Sequence, residues 1–132
     1  MYKLLIHDDA REELEELWRT VPRVAARITA LLQEIQGSQE LLDALTVHDF
    51  GAQGLQSFHV SKISKFWYSG LDIWRFKVWD LEEQRLKFRV VYAYEAKSQR
   101  YYVLGILPRA IAYDTNDPRV KRILKAYEDL VG

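Results

Sequence analysis

The stretch LDIWRFKVWDLEEQRLKFRVVYAYEAKSQRYYVLGIL, residues 71–107, decides the fold of this chain. Three of its segments carry aromatic and β-branched residues in the alternating pattern of strands, with turn-like polar stretches between them: 71–80, 86–95 and 100–107. Strands that follow one another so closely in sequence usually pair with their neighbours. The stretch therefore predicts a three-stranded antiparallel meander.

The first two strands separate their side chains by charge. A hairpin centred near residue 83 places residue 77 opposite 89 and residue 75 opposite 91. One face is then apolar and belongs to the core: Trp74, Phe76, Phe88, Val90 and Tyr92. The opposite face gathers four cations, with no acidic residue among them before Glu95: Arg75, Lys77, Lys87 and Arg89.

Like charges on paired strands cost stability, so this cationic face suggests an anionic ligand, and phosphate is the natural one. A solvated face that keeps the protein soluble and blunts a sheet edge is the alternative. Arg109 and Tyr113 follow the last strand, where functional side chains are often mounted. Arg109 offers a planar fork for phosphate, and Tyr113 offers a hydroxyl group and a ring for stacking. They could instead pair with Asp114 and pack on the last helix.

Helical periodicity and capping residues place the other elements around this sheet. The predictions are a strand over 2–6, a helix capped by Asp8 or Asp9, a second helix from Pro22 to Gly37, a short helix over 39–45 capped by Ser38, and a last helix after Asp117-Pro118. Residues 55–68 fit either a strand or an ordered loop. The fold class is α+β, with an antiparallel sheet of about four strands in the order β-α-α-β-β-β-α.

Composition limits the possible functions. With 132 residues, one domain spanning 1–132 is expected. There is no cysteine, which excludes disulfides and thiolate chemistry. Neither a signal peptide nor a membrane span is expected, so the predicted compartment is the cytoplasm. The 19 basic and 19 acidic residues balance, which argues against nucleic-acid binding by bulk charge but allows a local basic site.

No nucleotide-binding, hydrolase or metalloprotease motif is present. The spacing of the three histidines matches no metal site, and we interpret them as structural or surface residues: His7, His48 and His59.

Four segments together resemble the RelE/ParE superfamily of toxins from type II toxin–antitoxin systems. They are FRVVYAYE (88–95), YYVLGILPRAIAYD (101–114), the helix DPRVKRILKAYEDL, and Trp74-Arg75-Phe76-Lys77 on the preceding strand. The resemblance covers 71–131 well and 1–36 loosely, which leaves a probable insertion at 37–70.

The resemblance implies a ribosome-dependent endoribonuclease, an mRNA interferase that blocks translation. Its catalytic residues would be Arg75, Lys77, Arg89, Arg109 and Tyr113, and Lys87 would bind RNA. The ribose 2′-hydroxyl would attack the adjacent phosphate without a metal or other cofactor. The implied partners are a cognate antitoxin, the ribosome and mRNA, with no small-molecule ligand and no membrane. Substituting Arg89 or Arg109 by alanine is expected to abolish toxicity and leave the fold nearly intact.

Two other functions share this fold. A ParE-like inhibitor binds DNA gyrase and cleaves nothing, and a binding module of the same fold has no toxicity. The segment between the two charged strands is longer than the usual family turn, and the chain is neutral where such toxins are often basic. A nuclease needs these cations to lie close together around one phosphate, whereas a gyrase inhibitor has no chemical need for such a cluster. Their placement in the structure therefore distinguishes the two functions.

Overall fold

A computed structural model describes all residues, 1–132, and confirms the α+β class. Its elements are β1 (Lys3–Ile6), α1 (Asp8–Thr20), α2 (Pro22–Gln36), α3 (Gln39–Ala44), β2 (Phe58–Lys62), α4 (Ser64–Trp67), β3 (Ile73–Val78), α5 (Trp79–Glu83), β4 (Phe88–Glu95), β5 (Arg100–Pro108), a 3₁₀ turn (Arg109–Ile111) and α6 (Pro118–Leu130). One sheet contains all strands in the order β1-β5-β4-β3-β2. Only β1 and β5 are parallel. The sheet has five strands rather than about four.

The predicted meander is present as β3, β4 and β5, and its register agrees with the alternation. Arg75 lies opposite Val91, as the hairpin centre near residue 83 predicts. The connection is not a simple loop, because residues 79–83 form the helical turn α5. Leu81 is buried in the core, and Arg27 of α2 holds Asp80 through Nε and Oδ2 at 2.8 Å. The predicted strand 71–80 therefore ends at Val78, and its last two residues belong to α5.

The ambiguous segment 55–68 supplies the extra strand. Residues Phe58–Lys62 form β2, which pairs antiparallel with β3 at the edge of the sheet, and Ser64–Trp67 form the short helix α4. Phe58 and Val60 are buried on the core face, so the strand has the expected period of two. Only five residues carry that pattern, which is too short to separate strand from loop in the sequence.

Helix ends follow the predicted caps with one correction. Ser38 and Asp117 cap α3 and α6 through side-chain oxygens, and Gly37 ends α2. Helix α1 is capped by His7, whose ring Nδ1 accepts from the amide of Asp9 at 3.1 Å, and not by Asp8 or Asp9. An imidazole nitrogen replaces the usual oxygen acceptor here, and this role accounts for His7.

Two hydrophobic layers cover the sheet unequally. The larger cluster lies between the sheet and helices α1 and α2, and includes Phe76, Val90 and Tyr92. Helix α6 packs on the other face over Val91 and its neighbours. A Cβ built on Gly105 would lie 2.6 Å from Ile123 Cδ1, so this glycine permits the close approach of α6. The cationic part of the sheet face begins where α6 stops covering it.

Candidate functional site

The sequence-predicted catalytic residues meet around one pocket at the uncovered end of the sheet. The pocket has a volume of about 410 Å³, within the range of small-ligand sites. Its lining contains all five of those residues and three apolar ones: Arg75, Lys77, Arg89, Leu107, Pro108, Arg109, Ala112 and Tyr113. Strands β3 and β4 supply the first three cations, and the segment after β5 supplies Arg109 and Tyr113. A face that is apolar under α6 thus becomes cationic beyond it.

Arg89 is the one pocket cation with a carboxylate partner. Its Nη1 lies 3.2 Å from Oε1 of Glu82, and the side chains are only 11% and 13% exposed. Helix α5 delivers this acidic group, because Leu81 turns into the core and Glu82 turns toward the other face. The strands therefore carry no neutralising acid, as the sequence indicates, but the turn between them does. Since Arg89 is buried and paired, we no longer expect its substitution to leave the fold nearly intact.

Arg75 is partly buried and has no carboxylate within ion-pair distance. Its Nη1 donates to the carbonyl oxygen of His59 on the adjacent strand at 3.3 Å. Burial lowers the pKa of the Arg75 guanidinium, and the positive charge of Arg89 lowers it further. An arginine keeps its proton in proteins, so the group remains a cation that lacks a counter-ion. Such a charge favours an anionic ligand that enters the pocket.

Lys77 is held against an aromatic ring and not against an acid. Its Nζ lies 4.8 Å from the centroid of Trp79, whose indole N–H donates to the carbonyl oxygen of Gly51 at 2.8 Å. His59 stacks on the same indole with ring centroids 5.6 Å apart. Burial lowers the pKa of Lys77, as do the charges of Arg75 and Arg89. Lys77 is therefore the pocket cation best suited to proton transfer.

Arg109 and Tyr113 belong to a turn whose backbone is strained. Ala112 and Tyr113 have φ values of 52° and 58°, a left-handed conformation that costs free energy for residues other than glycine. Arg109 is exposed and forms no ion pair, so it does not pair with Asp114. The Tyr113 ring packs edge-on against Phe66 of α4, and its hydroxyl is buried without a hydrogen-bond partner. Burial raises the pKa of Tyr113 to about 12, so the hydroxyl stays protonated at neutral pH.

Lys87 is separate from the other predicted residues. It precedes β4, is exposed, and borders a neighbouring hollow of about 600 Å³ that it shares with Arg109. The two segments are joined by a hydrogen bond from the Arg109 amide to the Lys87 carbonyl at 2.9 Å. Arg109 thus lines both hollows, and Lys87 lines the second hollow and not the pocket.

Residues from the predicted insertion contact residues that line the pocket, and sequence reasoning missed them. The side chain of His59 lies on the same sheet face as that of Lys77, because the two residues are directly paired. Its Nε2 lies 3.1 Å from Asp49 Oδ1, and Lys65 Nζ donates to the Tyr113 carbonyl at 3.1 Å. The alternation of Phe58-His59-Val60 is the one signal that could have placed His59 on this face.

The acidic residues of α1 are engaged elsewhere. Arg122 of α6 reaches Glu13 at 3.1 Å, and also approaches Asp9 and Glu12. Glu13 in turn accepts from the amide of Ile106 at 2.8 Å, on the edge of β5 beyond the end of β1. This cluster ties α6 to α1 and to the sheet. It therefore stabilises the fold and does not neutralise the pocket cations.

The chain has no match among the protein-family models, the curated proteins or the solved structures with which it was compared. The RelE/ParE resemblance therefore stays a prediction. No group of three or more His, Asp or Glu residues is arranged to hold a metal ion. None of the helices has both the length and the apolar character that a membrane crossing requires.

Proposed function

We propose that this chain is a RelE-like endoribonuclease toxin that cuts mRNA on the ribosome and is neutralised by a cognate antitoxin. The observation that carries the proposal is the convergence of Arg75, Lys77, Arg89, Arg109 and Tyr113 on one pocket. Three of the four cations have no carboxylate partner, namely Arg75, Lys77 and Arg109. On a face that serves only solubility, unpaired cations would have no reason to lie around one pocket. A bound phosphodiester would give these cations a counter-ion.

The pocket groups suit cleavage by the ribose 2′-hydroxyl. The 2′-oxygen attacks the neighbouring phosphorus, the bond from phosphorus to the 5′-oxygen breaks, and the products are a 2′,3′-cyclic phosphate and a free 5′-hydroxyl. Arg75 and Arg109 would stabilise the negative charge that builds on the phosphoryl oxygens. Lys77, with its lowered pKa, would move the proton between the attacking and leaving oxygens.

Tyr113 has a different part in this mechanism. Its raised pKa keeps the hydroxyl protonated, so it would donate a hydrogen bond to the substrate and would not act as a base. The hydroxyl is buried with no partner within the protein, so a shift of the side chains around it that admits a substrate oxygen would satisfy it. The strained turn at Ala112 and Tyr113 would hold the ring in this position before the substrate arrives.

The proposal also specifies the chemistry of the antitoxin. A segment that covers the pocket must bring acidic side chains to Arg75, Lys77 and Arg109, because it would otherwise bury unpaired cations. A gene neighbour that encodes a small DNA-binding protein with an acidic segment would support this partnership.

Expression of the chain in a bacterium, with Arg75→Ala as the test variant, decides between the candidate functions. We expect the wild type to arrest translation with mRNA cut within codons, and Arg75→Ala to cut at least about a hundred-fold more slowly. Arg75 has no ion-pair partner, so its loss leaves no carboxylate unpaired and should preserve the fold, which urea unfolding would verify.

Arg100→Ala is the matched control. Arg100 is a strand arginine that is exposed, forms no ion pair and lies outside the pocket, so the variant should be as toxic as the wild type. Intact mRNA together with a DNA-damage response would instead indicate a ParE-like gyrase inhibitor. Normal growth would indicate a non-toxic binding module, and either result would refute the nuclease.

A further inference from the structure

A second hollow adjoins the candidate pocket. Its volume is about 600 Å³, and its lining contains Arg85, Lys87 and Arg109. Pro108, Arg109 and Ala112 line both hollows, so the two meet at the end of β5 and the turn that follows it. A chain molecule bound in the pocket can therefore continue past Arg109 into the second hollow.

All the charged residues that line the two hollows are basic. Neither lining contains an aspartate or a glutamate, and together they contain six cations: Arg75, Lys77, Arg85, Lys87, Arg89 and Arg109. The hollow between α1 and α6 is different, because three glutamates line it beside three arginines. In a chain whose 19 basic and 19 acidic residues balance, two adjoining hollows without acids indicate a site for a polyanion.

The cations of the second hollow have no anionic partner in the protein. Arg85, Lys87 and Arg109 are exposed, and none of them lies within ion-pair distance of a carboxylate. The Arg109 amide donates to the Lys87 carbonyl at 2.9 Å, which holds these two residues on neighbouring segments. Like charges on paired strands lower stability, and a bound phosphate would remove this repulsion.

The backbone at Arg85 has a conformation that arginine rarely adopts. Its φ is 62°, at the position after the C-cap of α5 where glycine is usual. The amides of Arg85 and Leu86 donate to the carbonyl oxygens of Glu82 and Leu81 at 3.0 and 2.9 Å, which are the hydrogen bonds of a Schellman motif. Glycine would form this turn without strain, so an arginine here indicates a role for its side chain.

The turn that carries Arg85 is anchored on both sides. Leu81 is buried in the core, and Leu86 packs against the same hydrophobic cluster. A charged side chain on an ordered turn loses less conformational entropy on binding than one on a mobile loop. The segment between β3 and β4 thus presents a cation to the second hollow on a preorganised support.

We propose that Arg85 and Lys87 bind the phosphate next to the one in the pocket, and that the RNA backbone passes from the pocket to the second hollow along Arg109. This inference rests on the proposed function and adds a second phosphate subsite to it. Phosphate contacts position a nucleic acid without reading its bases, so this subsite holds RNA of any sequence. An acidic protein segment would be the alternative occupant.

The test measures binding of a short fluorescein-labelled single-stranded RNA by fluorescence anisotropy. All its riboses carry 2′-O-methyl groups, which remove the attacking hydroxyl and prevent cleavage. Arg85→Gly should bind this RNA about eight-fold more weakly than the wild type at about 50 mM salt and about three-fold more weakly at about 200 mM, the effect of one lost phosphate contact to a single strand. Lys87→Ala should behave in the same way. Arg85→Gly should unfold at the same urea concentration as the wild type or a higher one, because glycine suits the turn.

Two variants are matched controls. Arg85→Lys keeps the positive charge and should bind nearly as tightly as the wild type. Arg100→Ala removes an arginine from an exposed strand position that lines neither hollow, and it should leave the affinity unchanged. Equal weakening by Arg100→Ala would overturn the subsite, because net charge would then be the cause. Wild-type affinity in Arg85→Gly and Lys87→Ala would also overturn it, and the hollow would then be left to an acidic protein segment.

The result for Arg75→Ala in the same assay separates the two proposals. Weaker binding by Arg75→Ala with unchanged binding by Arg85→Gly would remove the second subsite and leave the nuclease proposal standing. Unchanged binding by Arg75→Ala, or intact mRNA in the bacterium that expresses the wild type, would refute the proposed function and this inference with it. A wild type that binds no RNA at about 50 mM salt would overturn this inference alone, because mRNA cleavage in the bacterium decides the nuclease.

Discussion

Substituting Arg89 by alanine should unfold this protein more easily, and Glu82 should be the reason. The two side chains are nearly buried and meet at 3.2 Å, and Arg89 Nη1 also donates to the Phe88 carbonyl at 3.0 Å. The second carboxylate oxygen of Glu82 is already buried without a partner. Removing Arg89 would take away the one cation within ion-pair distance of this nearly buried carboxylate, and would leave it only the longer-range attraction of Arg75 and Lys77.

The expected loss is about 3 kcal/mol of unfolding free energy. Breaking a buried ion pair by removing one partner costs about 3–5 kcal/mol, and we take the lower limit because both groups keep slight exposure. For a domain of this size, that corresponds to a decrease of roughly 10 °C in melting temperature. The double variant Glu82→Gln/Arg89→Ala removes both charges of the ion pair and strands neither, so its loss should be only about 1 kcal/mol.

Urea unfolding of the wild type, both single variants and the double variant measures this coupling directly. The single variant Glu82→Gln should lose little, because Arg89 still faces the pocket and still donates to the Phe88 carbonyl. A double variant no more stable than Arg89→Ala would show that the stranded carboxylate is not the cause. Arg89→Ala would be as clean a probe of catalysis as Arg75→Ala only if it kept the stability of the wild type.

Two further predictions concern the contacts that hold α6. Burial raises the pKa of Glu13 above its ordinary 4.5, against the lowering effects of the Ile106 amide and Arg122. Because the pKa is higher in the folded state, folding favours the protonated carboxyl group. The stability of the wild type relative to Glu13→Gln should therefore fall as pH rises from about 4 to about 7. Urea unfolding across that pH range measures this difference, and a stability that rises with pH would contradict the assignment. Gly105→Ala should lose about 1–3 kcal/mol of unfolding free energy in the same assay, because the added Cβ would clash with Ile123. Gly37→Ala is the control and should lose little, because the atom nearest to its added Cβ is 3.6 Å away. Equal losses in the two alanine variants would contradict this account of the α6 contact.

Local patterns in the sequence were enough to predict most of the architecture. Alternation over 71–107 predicts the meander and its register, and Pro22, Gly37, Ser38 and Asp117 mark helix ends where the structure has them. Such signals depend on the few residues that surround each position, because the strand period is two and helix caps act within one turn. The face that Arg75, Lys77 and Arg89 share could be predicted for the same reason.

The tertiary structure alone decided which groups meet. Glu82 turns to Arg89 only because Leu81 and Asp80 anchor α5 to the core and to α2. Strand β2 adds to the edge of the sheet and brings His59 beside Lys77, and α4 brings Lys65 to Tyr113. The residues of the last two pairs are far apart in the chain, and the Glu82–Arg89 pair depends on where α5 packs. The packing of the whole domain therefore sets the free energy of these contacts, and no local pattern encodes them.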